Sequence, residues 1–156
     1  VLLITEEDLT PEFWPLPQSC VKGVVALPPN KTNPLVSEKV FGFREAAIQE
    51  ALLRGEKFFS CPTFFLHNAS AEDLISFCKN RGVLEIVTAY IPTGPMRERI
   101  DQLKSSLIPS KIELRELHNH WDQTFWPYTK SGFFKLKEQI PHLLSKLSLN
   151  TKEPSG

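Results

Sequence analysis

The chain has 156 residues, 41% of them hydrophobic, with 18 Lys and Arg balanced by 18 Asp and Glu. That length suits one domain with a buried core, and a formal net charge of zero speaks against a domain-wide nucleic-acid surface, which shows as basic excess. Three cysteines without a CxxC pair (Cys20, Cys61, Cys78) exclude a disulfide framework or zinc ribbon and point to a reduced, cytoplasmic setting. No apolar run nears the ~18 residues of a membrane span, so no membrane partner is expected, and no stretch reads as a signal peptide.

Val1–Ile4 is a continuous run of branched apolar residues, the pattern of a strand covered on both faces in a parallel sheet. It starts without an initiator Met, so we expect a piece of a longer polypeptide. The TEED run Thr5–Asp8 has a capping pattern and predicts a short helical turn over roughly 7–13. Gly23–Leu27 reads as a second buried strand, stopped by Pro28 and Pro29. Asn33 and Pro34 predict a helix start, and Val36, Val40, Phe43, Ala47 and Ala51, widened by Ile48 and Leu52, form an apolar stripe to about Arg54, with Gly55 as its stop. Residues 58–66 contain Pro62 and predict only a short extended piece. Ser70 caps a helix carrying Leu74, Ile75, Phe77 and Cys78, ended by Arg81 and Gly82; Val83–Tyr90 is a further strand. Pro92–Pro95 leads into a helix with Met96, Ile100, Leu103 and Leu107 on one face. Ile112–Leu117 alternates, as a half-exposed edge strand does. A last helix covers about Phe133–Leu147, with a kink or restart at Pro141.

Strands alternating with helices predict a Rossmann-like, three-layer α/β/α sandwich on a parallel sheet of four to five strands. One domain is expected over residues 1–149, followed by a polar tail, 150–156. Ligands of such sheets sit beyond the strand carboxyl ends, which makes Thr5, Glu6, Asp8, Pro28, Thr93 and Gly94 the candidate ligand-binding residues. There is no GxGxxG after the first strand and no GxxxxGK[ST], which excludes the usual dinucleotide and phosphate loops. The Thr93–Gly94 turn before a helix start could hold an anion on free backbone N–H groups, or be a plain strand-to-helix turn. Glu6, Glu7 and Asp8 read as an exposed helix start rather than as carboxylate chemistry, and the cysteines as small buried hydrophobes. His118, His120 and Asp122 share one face if extended, yet short spacing alone does not make a metal set and no metal site is expected. No nucleophile elbow is present, and no catalytic residue is assigned.

The stretch Trp121–Pro141, WDQTFWPYTKSGFFKLKEQIP, is too aromatic for a solvated loop. Its Phe125-Trp126-Pro127, its Thr129-Lys130 followed by Gly132-Phe133-Phe134-Lys135, and its Ile140-Pro141, all after the pair Trp121-Asp122, resemble a signature of bacterial flavoproteins of the photolyase/cryptochrome superfamily. Tyr128 stands where that signature carries His, so no role of that His carries over. Thr5–Leu9 after the first strand, Phe43 and Ala46–Ala47 in the long helix, and Tyr90–Pro95 are similar to the same superfamily, so the resemblance spans nearly the whole chain.

The resemblance implies the α/β, antenna-type domain of a bacterial flavoprotein related to DNA photolyase, a lyase of light-driven DNA repair, or to cryptochrome, a blue-light sensor. It implies FAD in a separate helical domain, which also holds the flipped pyrimidine dimer. This chain would then carry no flavin of its own, with an antenna chromophore in some members; its partner would be that helical domain, and DNA would be met only through the parent protein. Trp14, Trp121 and Trp126 take no part in electron transfer to flavin on this reading. Trp121, Asp122, Trp126, Gly132, Phe133 and Phe134 are expected to finish the core at the sheet's edge, with contact to the helical domain, or to ligand or DNA, as alternatives. Phe133 and Phe134 are helix neighbours about 100° apart, so at least one is expected to be deeply buried. Two other functions fit the same residues: a free-standing Rossmann-like module holding a nucleotide or other anion at the strand ends, and a purely structural docking domain.

Overall fold

A computed structural model of the protein describes residues 1–29, 36–66, 70–130 and 132–147. The chain divides into two compact units, Val1–Leu117 and His118–Gly156, where one domain to residue 149 was expected. The expected polar tail, 150–156, lies outside the described residues, as does the proposed helix start at Asn33 and Pro34.

The first unit is built on strands β1 (Leu2–Ile4), β2 (Val24–Ala26), β3 (Thr63–Phe65), β4 (Glu85–Ala89) and β5 (Glu113–Leu117). All pair in parallel in the order β3-β2-β1-β4-β5, as expected for a Rossmann-like α/β sheet. Helices α1 (Glu38–Phe59), α2 (Ala71–Lys79) and α3 (Pro95–Leu107) make the crossovers. Successive strand residues point to opposite faces, which separates two cores. Leu3, Val25 and Ile86 pack with Leu74, Phe77, Ile100 and Leu107 of α2 and α3. Leu2, Ile4, Val24 and Ala26 pack with Ile48, Ala51, Leu52 and Phe59 of α1. Each large side chain so buried contributes roughly 1.5–3 kcal/mol. The α3 stripe Met96, Ile100, Leu103 and Leu107 is buried throughout, and β5 is the alternating edge strand.

The helix α1 departs from expectation at both ends. It starts at Glu38, where the Ser37 hydroxyl accepts a bond from the Val40 N–H at 3.4 Å, and it runs past Gly55 to Phe59, ending at left-handed Ser60. Gly55 is a packing glycine and does not stop the helix: a Cβ there would lie 3.3 Å from Val24 Cγ1. Val40 and Phe43, placed on the apolar stripe, are exposed, Phe43 at 73%. Length explains this. A 22-residue helix spans about 33 Å, whereas three- to five-residue strands span about 10–17 Å, so α1 overhangs the sheet. The turn expected over 7–13 shrinks to a 3-10 turn at Pro11–Phe13, because Thr5 bridges back to Asp8 instead of opening a helix.

The second unit consists, among its described residues, of helices α4 (His120–Thr129) and α5 (Phe133–Lys146). The sequence predicts no helix between His118 and Phe133, yet Asn119 caps α4 by accepting the Asp122 N–H at 2.7 Å, and Pro127 is carried inside it. Gly132 turns the chain between them with φ +87°, a conformation that favours glycine. Helix α5 continues through Pro141, so of the expected kink or restart the restart does not occur; proline has no N–H to donate there. The expected burial of Phe133 or Phe134 is overturned: they are 66% and 80% exposed. Along α5, Leu136 and Ile140 are half-buried and Leu143 is fully buried, so the inward stripe lies C-terminal to the Phe pair. The two rings meet each other edge to face, centroids 5.9 Å apart.

Candidate functional site

In an open parallel sheet the ligand crevice opens where strand order reverses, here at the carboxyl ends between β1 and β4. Of the six residues expected there, three are engaged around β1. Thr5 is buried and its hydroxyl accepts the Glu7 N–H at 3.3 Å; Asp8 accepts the Thr10 N–H at 2.9 Å and its hydroxyl at 2.6 Å. Glu6 pairs with Arg44 at 3.4 Å. Asp8 is thus spent on its own loop.

Pro28 is brought to a residue that sequence reasoning missed. Arg99, from α3, donates from Nη1 to the Pro28 carbonyl at 2.8 Å. Burial pulls the Arg99 pKa below the usual arginine value, and the negative charge of Glu6 opposes that shift. Arg99 therefore ties α3 to the segment that follows β2. The signal for it was in the sequence: Arg99 lies three residues from Met96 and next to Ile100, at the border of the buried stripe. Thr93 is exposed and Gly94, φ +154°, precedes α3 without a side-chain cap.

A second polar cluster is saturated. Glu116 of β5 accepts from Arg97 Nη1 at 2.7 Å and from the Ile91 N–H at 3.1 Å, and it also takes bonds from Arg97 Nη2 and Lys104. Hydrogen bonding from Arg97 holds its pKa at about 2. Every oxygen is occupied, so the cluster ties α3 and the segment after β4 to the edge strand and leaves no acceptor for a ligand.

In the second unit, Trp121 stacks on Phe125 at 4.3 Å and His118 meets Trp126 edge-on at 5.3 Å. A cavity of about 540 Å³ is lined by His118, Asp122, Trp126, Pro127 and Lys130. Trp121 and Trp126, with Phe133 and Phe134, are exposed. These residues do not finish a core as expected: among its described residues the unit holds the two helices α4 and α5 and no sheet to cover them. His118, His120 and Asp122 are not an extended triplet: His120 and Asp122 lie in the first turn of α4, about 200° apart around it. Among the described residues, no group of three or more His, Cys, Asp or Glu is placed to hold a metal ion. Cys61 and Cys78 are buried, with thiol pKa values raised by burial, whereas Cys20 is exposed, contrary to expectation. No helix among the described residues is long and apolar enough to cross a membrane.

Comparison with protein families, with curated proteins and with solved structures finds no match to this chain.

Proposed function

We propose that the chain is the α/β, antenna-type part of a photolyase/cryptochrome-like flavoprotein. The parent protein performs light-driven, FAD-dependent DNA repair or blue-light sensing in the cytoplasm. The segment itself is not catalytic and serves as the scaffold against which a helical FAD domain docks; DNA is met through that domain.

The observation that carries this reading is the exposure of the large aromatics of α4 and α5. The residues that resemble the superfamily's closing signature, Trp121, Trp126, Phe133 and Phe134, are the ones left exposed. Covering such side chains stabilises by roughly 1.5–3 kcal/mol each, so a surface of this kind favours a partner of complementary apolar shape. The five-stranded parallel sheet is consistent with the same reading.

The test is purification of the natural gene product from its host. We expect stoichiometric FAD and light-dependent reversal of a thymine dimer in an oligonucleotide, or flavin photoreduction without repair if the parent is a sensor. A natural product without flavin and without a helical domain would overturn the proposal. A visible absorption band on this chain alone would add an antenna chromophore to it.

A further inference from the structure

We infer that Arg99 anchors a binding site for a small phosphorylated polyol, of the size of a pentose phosphate, in the cavity between the first turn of α2 and the middle of α3. This goes beyond the flavoprotein reading and does not depend on it. The cavity holds about 330 Å³, and Leu27, Ser70, Glu72, Arg99, Gln102 and Ser106 line it. It adjoins the carboxyl end of β2, where parallel sheets place their ligands.

Arg99 differs from most of the chain's other arginines. Arg44, Arg54, Arg97 and Arg115 each pair with a carboxylate. Among the described residues Arg99 has no carboxylate within ion-pair distance, and its one hydrogen bond goes to the Pro28 carbonyl. A guanidinium carries five donors, and withdrawing it from water without a counterion is unfavourable. Its lowered pKa reflects that desolvation. An anion in the cavity would offset it, and the planar fork suits phosphate.

The rest of the lining selects the remainder of the ligand. Gln102 offers its amide to sugar hydroxyls; Ser70 and Ser106, whose protons go to Glu72 and to the Gln102 carbonyl, offer acceptor lone pairs; and among the described residues no aromatic side chain lines the cavity on which a base could stack. The volume lies at the small end of ligand pockets. The N-terminus of α2 is already taken: the Glu72 carboxylate accepts the Ser70 hydroxyl at 2.9 Å and its own N–H, which lowers its pKa. Glu72 is therefore a negative charge at the rim that weakens anion binding, and it gives the site a second handle.

The experiment is calorimetric titration of this chain with ribose 5-phosphate at low salt, beside inorganic phosphate and adenosine monophosphate. We expect a dissociation constant on the order of 1 mM or tighter for ribose 5-phosphate, weaker binding of inorganic phosphate, and no gain for the nucleotide. Arg99→Gln should abolish binding, and Glu72→Gln, at the surface and harmless to the fold, should tighten it about threefold to tenfold. Absence of binding, or unchanged affinity in Glu72→Gln, overturns the site. Inorganic phosphate binding as tightly as the sugar phosphate, or the nucleotide binding more tightly, overturns the polyol. Should Arg99→Gln fail to fold by circular dichroism, the Glu72→Gln result decides.

Discussion

The two units hold similar stretches of apolar sequence and use them in opposite ways. In Val1–Leu117 a sheet one layer thick meets helices on both faces, and residues as different as Leu3, Trp14 and Ile86 all end up buried. Among the described residues from His118 onward, two helices pack with Leu143 as the buried position, and the large aromatics stay outside. Trp14 is 8% exposed and Trp126 42%. The difference lies in what stands opposite: Trp14 follows a 3-10 turn that packs on α1, while among its described residues the second unit holds two helices and no sheet. Hydrophobicity alone does not place a residue inside; a second layer must exist to receive it.

The contrast can be broken most sharply by matched truncations. Ile86→Ala, on β4 in the fully buried face, should destabilise by about 3–4 kcal/mol through transfer and cavity terms. Phe134→Ala removes a larger side chain and should change stability by less than about 0.5 kcal/mol. Urea unfolding of both reads the result, and similar losses would place Phe134 in a core.

Next in size is the Glu116 cluster of the first unit. Its carboxyl is held at about 2, below the ordinary 4.5, so the stabilisation is fully present above about pH 5 and is lost as pH falls toward 2. With partly exposed partners it amounts to on the order of 2 kcal/mol. Glu116→Gln should lower stability at pH 7 by that amount and flatten the acid limb of a stability-versus-pH curve; an unchanged acid limb would show the pairing to be inert.

The smallest effect belongs to the turn of the second unit. Gly132 sits at φ +87° with open space where a Cβ would go. Gly132→Ala should cost about 1 kcal/mol from backbone strain alone, read as a loss of helicity on heating. A larger loss would mean that a side chain there meets something further.

Much of the first unit was legible in the sequence. Branched runs at Val1–Ile4 and Gly23–Leu27, the Ser70 cap and the α3 stripe each obey a local rule that tertiary structure did not override. What failed was mostly non-local. Periodicity gives the inward face of α1 but not the length of the sheet beneath it, so Val40 and Phe43 were misplaced. Gly55 reads alike as a stop or as a close-approach residue until Val24 is seen across from it. Helix α4 was hidden by Pro127 and by aromatics of weak helix preference. At the site, Pro28 and Glu6 were legible from their places after strands, while Arg99 is recruited by a crossover more than seventy residues away from Pro28.

Whether a partner covers the exposed aromatics of α4 and α5, as proposed, is tested most directly by hydroxyl-radical footprinting read by mass spectrometry. Trp121, Trp126, Phe133 and Phe134 should be oxidised readily in this chain, with Trp14 as the protected reference. In the flavin-bearing natural protein the same four should become protected while Trp14 is unchanged. Equal oxidation of the four in both preparations, or protection of them already in this chain, would contradict the account.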